Sequence, residues 1–555
     1  MGIPTISKIA TTVCLFFISF ASFAQSFEPF QPRFNEDLRG DIVLIGNNIL
    51  GPSNNAFNDD NAYNSNEDME YIDIDGDNST FSSSSADLVI PNPDCYAIRY
   101  AGLYWGAVNP GNESITDVKI KGPTGGYVDV TGTIIHEAGT NSVDGGNSFS
   151  YACYADVTSI VQGLASNLGT YTIANVSSDE GETSDFGNGT GHSAGWSLFV
   201  VYEDPTLPGK SITSFDGFSS INTPNNSSLD IPVTGFRTVP APAPVRANFA
   251  FAALEGDKRI SGDRLGINFW ALSAPDRPSN NFFNSTISQL SGLPVNNRVP
   301  NSTNTLGFDT GILEVPNPSN NVINNDATSA VINLRTTGDT YFPYFFAFAV
   351  EIIEPDIILT KLVEDDAGND IGGEVVALGQ PLTYVIGFQN VGNDNATNFQ
   401  IKDILPINIV FNYPGDLVLP PGVTVASYDP ITRELILDVA DYLVEQNDPV
   451  YEIRIEVETV STCAELEDAC SNIINNQAFA TYNGYDNPTF QITDDPSLNS
   501  NTGCLLVPQA TNFLADLDDC NFTQNEILCG SSLEMTAAGG YDSYSWSTSP
   551  TGTPV

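Results

Sequence analysis

Basic residues are scarce: 19 lysines and arginines stand against 68 aspartates and glutamates, a formal charge of -49 over 555 residues, and there are two histidines. Such a surface repels nucleic-acid phosphates and anionic lipid headgroups, which excludes DNA, RNA and membrane-surface binding as the main function. Divalent cations and neutral glycans are left as partners, beside a role for the charge in solvation alone. No CxxC occurs, so the paired spacing of a zinc site is missing. After the N-terminal stretch no apolar run reaches the roughly 20 residues a membrane helix needs. The length exceeds one compact core and fits about three or four domains.

Compartment is read from the first residues. Lys8 is a positive n-region, Ile9 to Phe20 an apolar h-region, and Ser22-Phe23-Ala24 a small-x-small cleavage box, so residues 1–24 are expected to be a secretory signal peptide. In an exported chain the remaining seven cysteines are disulfide material. Local pairing suggests Cys95 with Cys153, Cys463 with Cys470 and Cys504 with Cys520, although spacing alone does not fix connectivity; Cys529 is left over.

The segment 71–107 is the densest in signals. Asp73, Asp75 and Asp77 set three carboxylates two residues apart around Gly76 and form a candidate calcium turn. Against the EF-hand template the loop fails, because Asn78 takes the glycine position and Ser84 the final glutamate position, and a solvated acidic turn is the alternative. Tyr96, Ile98 and Tyr100 alternate as one strand face, and a phase slip predicts a bulge at Gly102 before Leu103 and Trp105 resume it. Downstream, Val157, Ile160, Val161 and Leu164 at helical spacing predict a helix over 156–168, capped by Asp156 and stopped by Gly169. Its apolar stripe reads as packing.

Gly191-His192-Ser193-Ala194-Gly195 fits the string of a nucleophile elbow in the wrong context. A polar loop precedes it, a buried-strand run, Trp196 to Tyr202, follows it, and no histidine lies downstream. His136 lacks the second histidine of HExxH and reads as a strand or turn residue. No catalytic residue is assigned. The segment Val239–Val245 is a stiff connector between strands, joining two lobes of one head or crossing a single sandwich. Ala247 to Leu254 and Leu265 to Leu272 read as strands, and Phe345 to Ile353 as a sandwich-core strand covered on both faces. Trp105, Trp196 and Trp270 all sit in strand-like runs and are expected in the core.

The series DIDGDNSTFSSSSADLVIP, AGLYWGA, YADVTSIV, GTYTIANV, AGWSLFVVYEDP, FDGF and LGFDTG resembles the N-terminal module of large secreted surface proteins of gliding and marine Bacteroidetes, over about residues 36–353. Further on, Gly379-Gln380-Pro381, LTYVIGF, Asn390-Val391-Gly392, Asp403-Ile404-Leu405-Pro406, the alternating Tyr451–Val457 and the closing Asn476–Tyr482 resemble the conserved-repeat domain of bacterial surface proteins, an Ig-like sandwich with a spacer role. The resemblance implies an adhesin-like head without catalytic residues, type IX secretion, an association with gliding motility and an attachment machinery at the outer membrane.

The expected fold is all-β: multidomain β-sandwiches, an Ig-like second domain and one short helix in the first. Expected boundaries are a signal peptide at 1–24, a head at 25–354, an Ig-like domain at 355–495, a linker at 496–525, and at 526–555 the start of an Ig-like or PKD-like domain too short to close a sandwich of about a hundred residues. The expected function is adhesion to a substratum, a glycan or another cell, with exposed aromatics on the head as contact groups. A glycan hydrolase, with its catalytic domain past residue 555, and a polysaccharide-capture module are the alternatives. Glu364, Asp365, Asp366 and Asp370 form a weaker cation candidate that also reads as a hairpin loop.

Overall fold

The computed structural model describes residues 28–138, 149–182, 190–224, 226–467, 471–500, 503–504, 506–517, 547–548 and 553–554. The expected signal peptide and the start of the last domain, with Cys529, lie outside the described residues apart from two short strands.

The head is organised by one long strand, Glu28–Asn48. Its first half, up to Arg39, pairs with Gly209–Phe218, and from Gly40 onward it pairs with Ser193–Glu203. One strand therefore belongs to two half-sheets, and the ten-stranded sheet they form runs Ile287–Ser288, Phe308–Glu314, Ala247–Leu254, Phe342–Glu351, Gly209–Phe218, Glu28–Asn48, Ser193–Glu203, Ala97–Val108, Ser150–Asp156, Thr133–Glu137. The halves fold face to face: the ring centroid of Phe345 lies 4.4 Å from Tyr104 and 5.2 Å from Phe199. The change of partner needs a residue without a side chain, because a Cβ on Gly40 would lie 2.0 Å from the Tyr202 carbonyl oxygen.

Two smaller sheets cover the outer faces, making four β layers. A five-stranded sheet around Ser83–Leu88 and Gly169–Ala174 packs on the Ala97–Val108 side, with Trp105, Trp196, Tyr151 and Tyr171 in the core between. A four-stranded sheet, Ser228–Thr234, Ser329–Arg335, Arg264–Ile267, Trp270–Ala271, packs on the other side over Phe249, Phe251, Phe346 and Phe348. Both inner half-sheets are thus covered on both faces, which is why WSLFVVY and FPYFFAFAV are apolar almost throughout. The connector at 239–245 crosses from the outer four-stranded sheet to the inner strand Ala247–Leu254 within one sandwich. Strands from before and after it share the same sheets, so it does not divide the head into lobes.

Several local expectations are corrected. The bulge falls at Arg99: Val201 pairs with Tyr100 and Tyr202 with Ile98. Ile98 consequently joins the outer core and Tyr100 the inner one, so they do not share a face. Gly102 instead leaves room for two rings, since a Cβ there would meet Tyr100 and Tyr104. The helix spans Thr158–Gln162, far shorter than 156–168, and Gly163 follows at once. Asp156 still accepts a hydrogen bond from the Thr158 N–H, and Val157 and Val161 are buried as expected.

The second domain is a sandwich of two larger sheets with a smaller three-stranded sheet beside them. Ile357–Glu364, Pro381–Asn390 and Tyr451–Thr459 carry one sheet; Val423–Asp429, Glu434–Val439, Ala396–Ile404, Ala478–Gly484 and Gln491–Pro496 form the other. Thr511–Ala515, inside the expected linker, is a strand that pairs with Ile473–Asn476 and buries Phe513 in this domain's core.

Cysteine pairing also differs. Cys95 bonds to Cys504, with Cα atoms 5.2 Å apart, which excludes both Cys95–Cys153 and Cys504–Cys520. Cys153 is a buried free thiol opposite Trp105, far up the strand that starts just after Cys95, and burial pushes its pKa up to about 12. Cys463 is disulfide-bonded, whereas Cys470 and Cys520 lie outside the described residues. The Cys95–Cys504 bond staples the head to a loop late in the second domain's sequence. Beside it runs a 430 Å³ cavity lined by Arg39, Glu203, Asp356, Asp495, Leu498 and Leu506.

Candidate functional site

Residues 265–272 read as one strand from sequence, but they form a tight hairpin. Arg264–Ile267 pairs with Trp270–Ala271, leaving Asn268 and Phe269 as a two-residue turn. Both turn residues have positive φ, 49° and 69°. That is the turn type whose second position glycine normally fills, and a bulky aromatic there is strained. The strain is held from several sides. The Asn268 side chain donates to the Val322 carbonyl at 2.8 Å and accepts from the Val331 N–H at 2.9 Å. The Phe269 N–H donates to Asn333 Oδ1 at 2.5 Å.

The result is an exposed aromatic ledge on the outer sheet. Phe269 is 71% exposed and Trp270, on the edge strand, 55% exposed. Trp105 and Trp196 are fully buried as expected, so the expectation fails for Trp270 alone. Polar groups close a ring around the turn. Asn333 Nδ2 donates to Asp230 Oδ1 at 2.7 Å, the same oxygen takes Arg335 Nη2 at 2.7 Å, and the Arg335 guanidinium stands 6.0 Å from the Phe269 ring centroid. Aromatic faces beside a fixed carboxylate and guanidinium suit a sugar ring, which offers C–H groups to the rings and hydroxyls to the charges.

The predicted calcium residues sit apart from this ledge and serve their own turn. Asp73 Oδ1 accepts from the Asp75 and Gly76 N–H groups and from the Ser83 hydroxyl; Asp75 accepts from the Asp77 N–H and the Tyr127 hydroxyl; Asp77 accepts from the Ser79 N–H. Desolvation is the largest single influence on the Asp75 carboxyl and pushes it up, but the hydrogen bonds from Tyr127, the Asp77 N–H and their neighbours together outweigh it and hold the group below its ordinary range. Among the described residues, no group of three acidic, histidine or cysteine side chains is gathered to hold a metal ion. In the second domain Asp365 accepts from the Ala367 and Asn369 N–H groups, the hairpin-loop geometry, while the Glu364 side chain pairs with Arg454 at 2.5 Å and the Glu364 backbone forms an antiparallel β-bridge with that of Asp370.

The enzyme-like string has no elbow geometry. Ser193 is buried as the first residue of Ser193–Glu203, and His192 Nδ1 lies 3.4 Å from Asn109 Nδ2. His136 is a strand residue stacked on Phe218 at 4.1 Å, and burial drives its pKa down to about 4.

Buried acids that the sequence did not single out gather at one end of the head. Glu255, Asp257, Asp263 and Asp339 are all buried, and the Asp257 N–H donates to Asp339 Oδ2 at 3.0 Å. Burial, then repulsion from Asp309 and Asp263, raises Asp257 to about 7, and burial, then repulsion from Asp257, raises Asp339 to about 10. Burial also raises Asp263 to about 7, against the Phe283 N–H that its carboxylate accepts. The neighbouring Asp309 is compensated by Arg277 at 2.8 Å, both fully buried. At the junction of head and second domain, burial and the nearby Asp356 raise Glu354 to about 8.

No family model matches the chain, and no curated protein matches it. Among solved structures it aligns with the N-terminal domain of a Streptococcus gordonii adhesin, at 10% identity and a TM-score of 0.23, covering 89% of this chain and 93% of that one. It aligns with the C-terminal domain of the Streptococcus agalactiae antigen I/II polypeptide BspA at 9% identity and a TM-score of 0.19, covering 85% of this chain and 100% of that one. A C-terminal portion of Escherichia coli alpha-2-macroglobulin aligns at 9% identity and a TM-score of 0.18, covering 36% of this chain and 31% of that one. Likeness at this level carries no inference about function.

Proposed function

We propose that this chain is an exported cell-surface adhesin whose four-layered head contacts neutral glycans through the Phe269–Trp270 ledge, with the second domain as its spacer. The observation that carries the reading is an aromatic held at positive φ and left 71% exposed, because a fold keeps such strain where the surroundings impose it and a function uses it. The charge of -49 favours neutral over acidic polysaccharides. Among the described residues no helix is long and apolar enough to cross a membrane. Gliding motility and type IX export belong to this proposal through the resemblance alone.

A glycan array with the parent chain and Trp270→Ala tests the reading. Binding confined to neutral glycans and lost in the variant supports it, and binding that survives in Trp270→Ala sinks it. Calcium at the Asp73, Asp75 and Asp77 turn rests on spacing and is a separate proposal. A calcium-dependent rise in melting midpoint that Asp75→Ala abolishes supports it, and an unchanged midpoint removes it.

A further inference from the structure

The second domain contains a lysine with no exposure at all. Lys361 lies on Ile357–Glu364, and its Nζ donates to Oδ2 of Asp403, which is equally buried on Ala396–Ile404. The ammonium also stands 4.3 Å from the Tyr384 ring centroid. Burial pulls the Lys361 pKa down, with Asp403 opposing, so the amine is closer to its neutral, nucleophilic form than a surface lysine.

A third residue is brought to the pair by two independent registers. Asn476, 4% exposed, ends Ile473–Asn476 and stands opposite Thr511, whose hydroxyl donates to the Lys361 carbonyl. Two residues on, Ala478 stands opposite Asp403. The Asn476 side chain faces the Tyr384 hydroxyl. Yet neither end of its carboxamide makes a hydrogen bond of ordinary length and angle, to Tyr384 or to any other group, and the same holds for Asp403 Oδ1 and the Tyr384 hydroxyl. A buried ion pair that merely packs does not account for this, because buried amides are ordinarily satisfied at both ends.

We propose that Lys361 and Asn476 become joined by an intramolecular isopeptide bond, with Asp403 as the proton carrier. Asp403 takes one proton from the ammonium, and the neutral Nζ attacks Cγ of Asn476. As the Nζ–Cγ bond forms and the Cγ–Nδ2 bond breaks, a second Nζ proton passes to the leaving nitrogen, which departs as ammonia. The proton held by Asp403 then leaves with it as ammonium. One amine and one primary amide give one secondary amide and ammonia, and neither oxidant nor cofactor enters. The new N–H faces Asp403 and the carbonyl faces Tyr384, which satisfies groups now unpaired.

The bond ties the first strand of the second domain to one near its end, so tension between head and anchor would pass through a covalent link instead of a peelable strand. That purpose rests on the spacer reading; the chemistry does not. The test is mass spectrometry of the full chain, reduced, denatured and digested with a glutamate-specific protease. A branched peptide containing Lys361 and Asn476, lighter than the two linear peptides together by one ammonia, is the expected result. Asp403→Ala should yield both linear peptides at unmodified mass. Linear, unmodified peptides in the parent chain overturn the proposal, as does deamidation of Asn476 without a branch. None of these readouts depends on glycan binding, so adhesion and cross-link can fail separately.

Discussion

Replacing Phe269 by glycine and, separately, by alanine isolates the strain at the ledge from its chemistry. Both changes delete the aromatic ring. Little burial is lost with it, since the residue is 71% exposed, and the contact to Arg335 at 6.0 Å is worth about 0.5 kcal/mol at an exposed site. The two variants differ in the backbone. At φ 69° alanine keeps a left-handed penalty of about 1–2 kcal/mol, which glycine escapes. Glycine gives back about 0.5–1 kcal/mol through the greater freedom of its unfolded chain. Phe269→Gly should therefore be more stable than Phe269→Ala by about 1 kcal/mol, which for a large domain is roughly a 2 °C difference in midpoint. Glycine is the poorer residue in an ordinary strand, so the sign is diagnostic. Thermal unfolding of the full chain, read at the head's transition, supplies the comparison, and a Phe269→Ala protein as stable as Phe269→Gly would refute the claim of a strained turn.

Further outcomes follow from the same geometry. The raised carboxyls bind protons in the fold that they do not hold when unfolded, so their contribution to stability is fully present below about pH 4 and is lost as pH rises through the folded values. The window runs from pH 4 to about 7 for Asp257 and Asp263 and to about 8 for Glu354; urea midpoints should fall across it, and Asp263→Asn should flatten the decline. Gly40→Ala, with its Cβ 2.0 Å from a carbonyl oxygen, should destabilise the head by about 3 kcal/mol or prevent folding, measured by chemical denaturation. Under non-reducing conditions peptide mapping should recover Cys95 bonded to Cys504, and Cys153 should react with a thiol reagent only after denaturation.

The all-β class was legible because apolar runs of strand length lie between turns, and WSLFVVY already read as a core strand. What stayed hidden was set by long-range or single-residue geometry. Cys95 and Cys504 are separated by 409 positions, and nothing local to either points to the other. The ledge was missed because Asn268-Phe269 lacks the glycine that marks a tight hairpin, so Leu265 to Leu272 read as one strand and Trp270 as core. Nothing local to Glu255-Gly256-Asp257 marks these acids as buried, because Asp263 and Asp339, which lie close to them in the fold, are distant or unremarkable in the chain. Asp403-Ile404-Leu405-Pro406 carried only a resemblance; the fold alone shows the aspartate buried against Lys361.

The most direct test of the adhesive account is attachment of beads carrying the full chain to a film of the neutral polysaccharide that the array selects, comparing the parent with the Phe269→Gly/Trp270→Ala double variant. The account predicts attachment by the parent and its loss in the double variant, with the head's melting midpoint unchanged within a few degrees. Equal attachment by both proteins would contradict it, and would place the contact surface of the head elsewhere than on this hairpin.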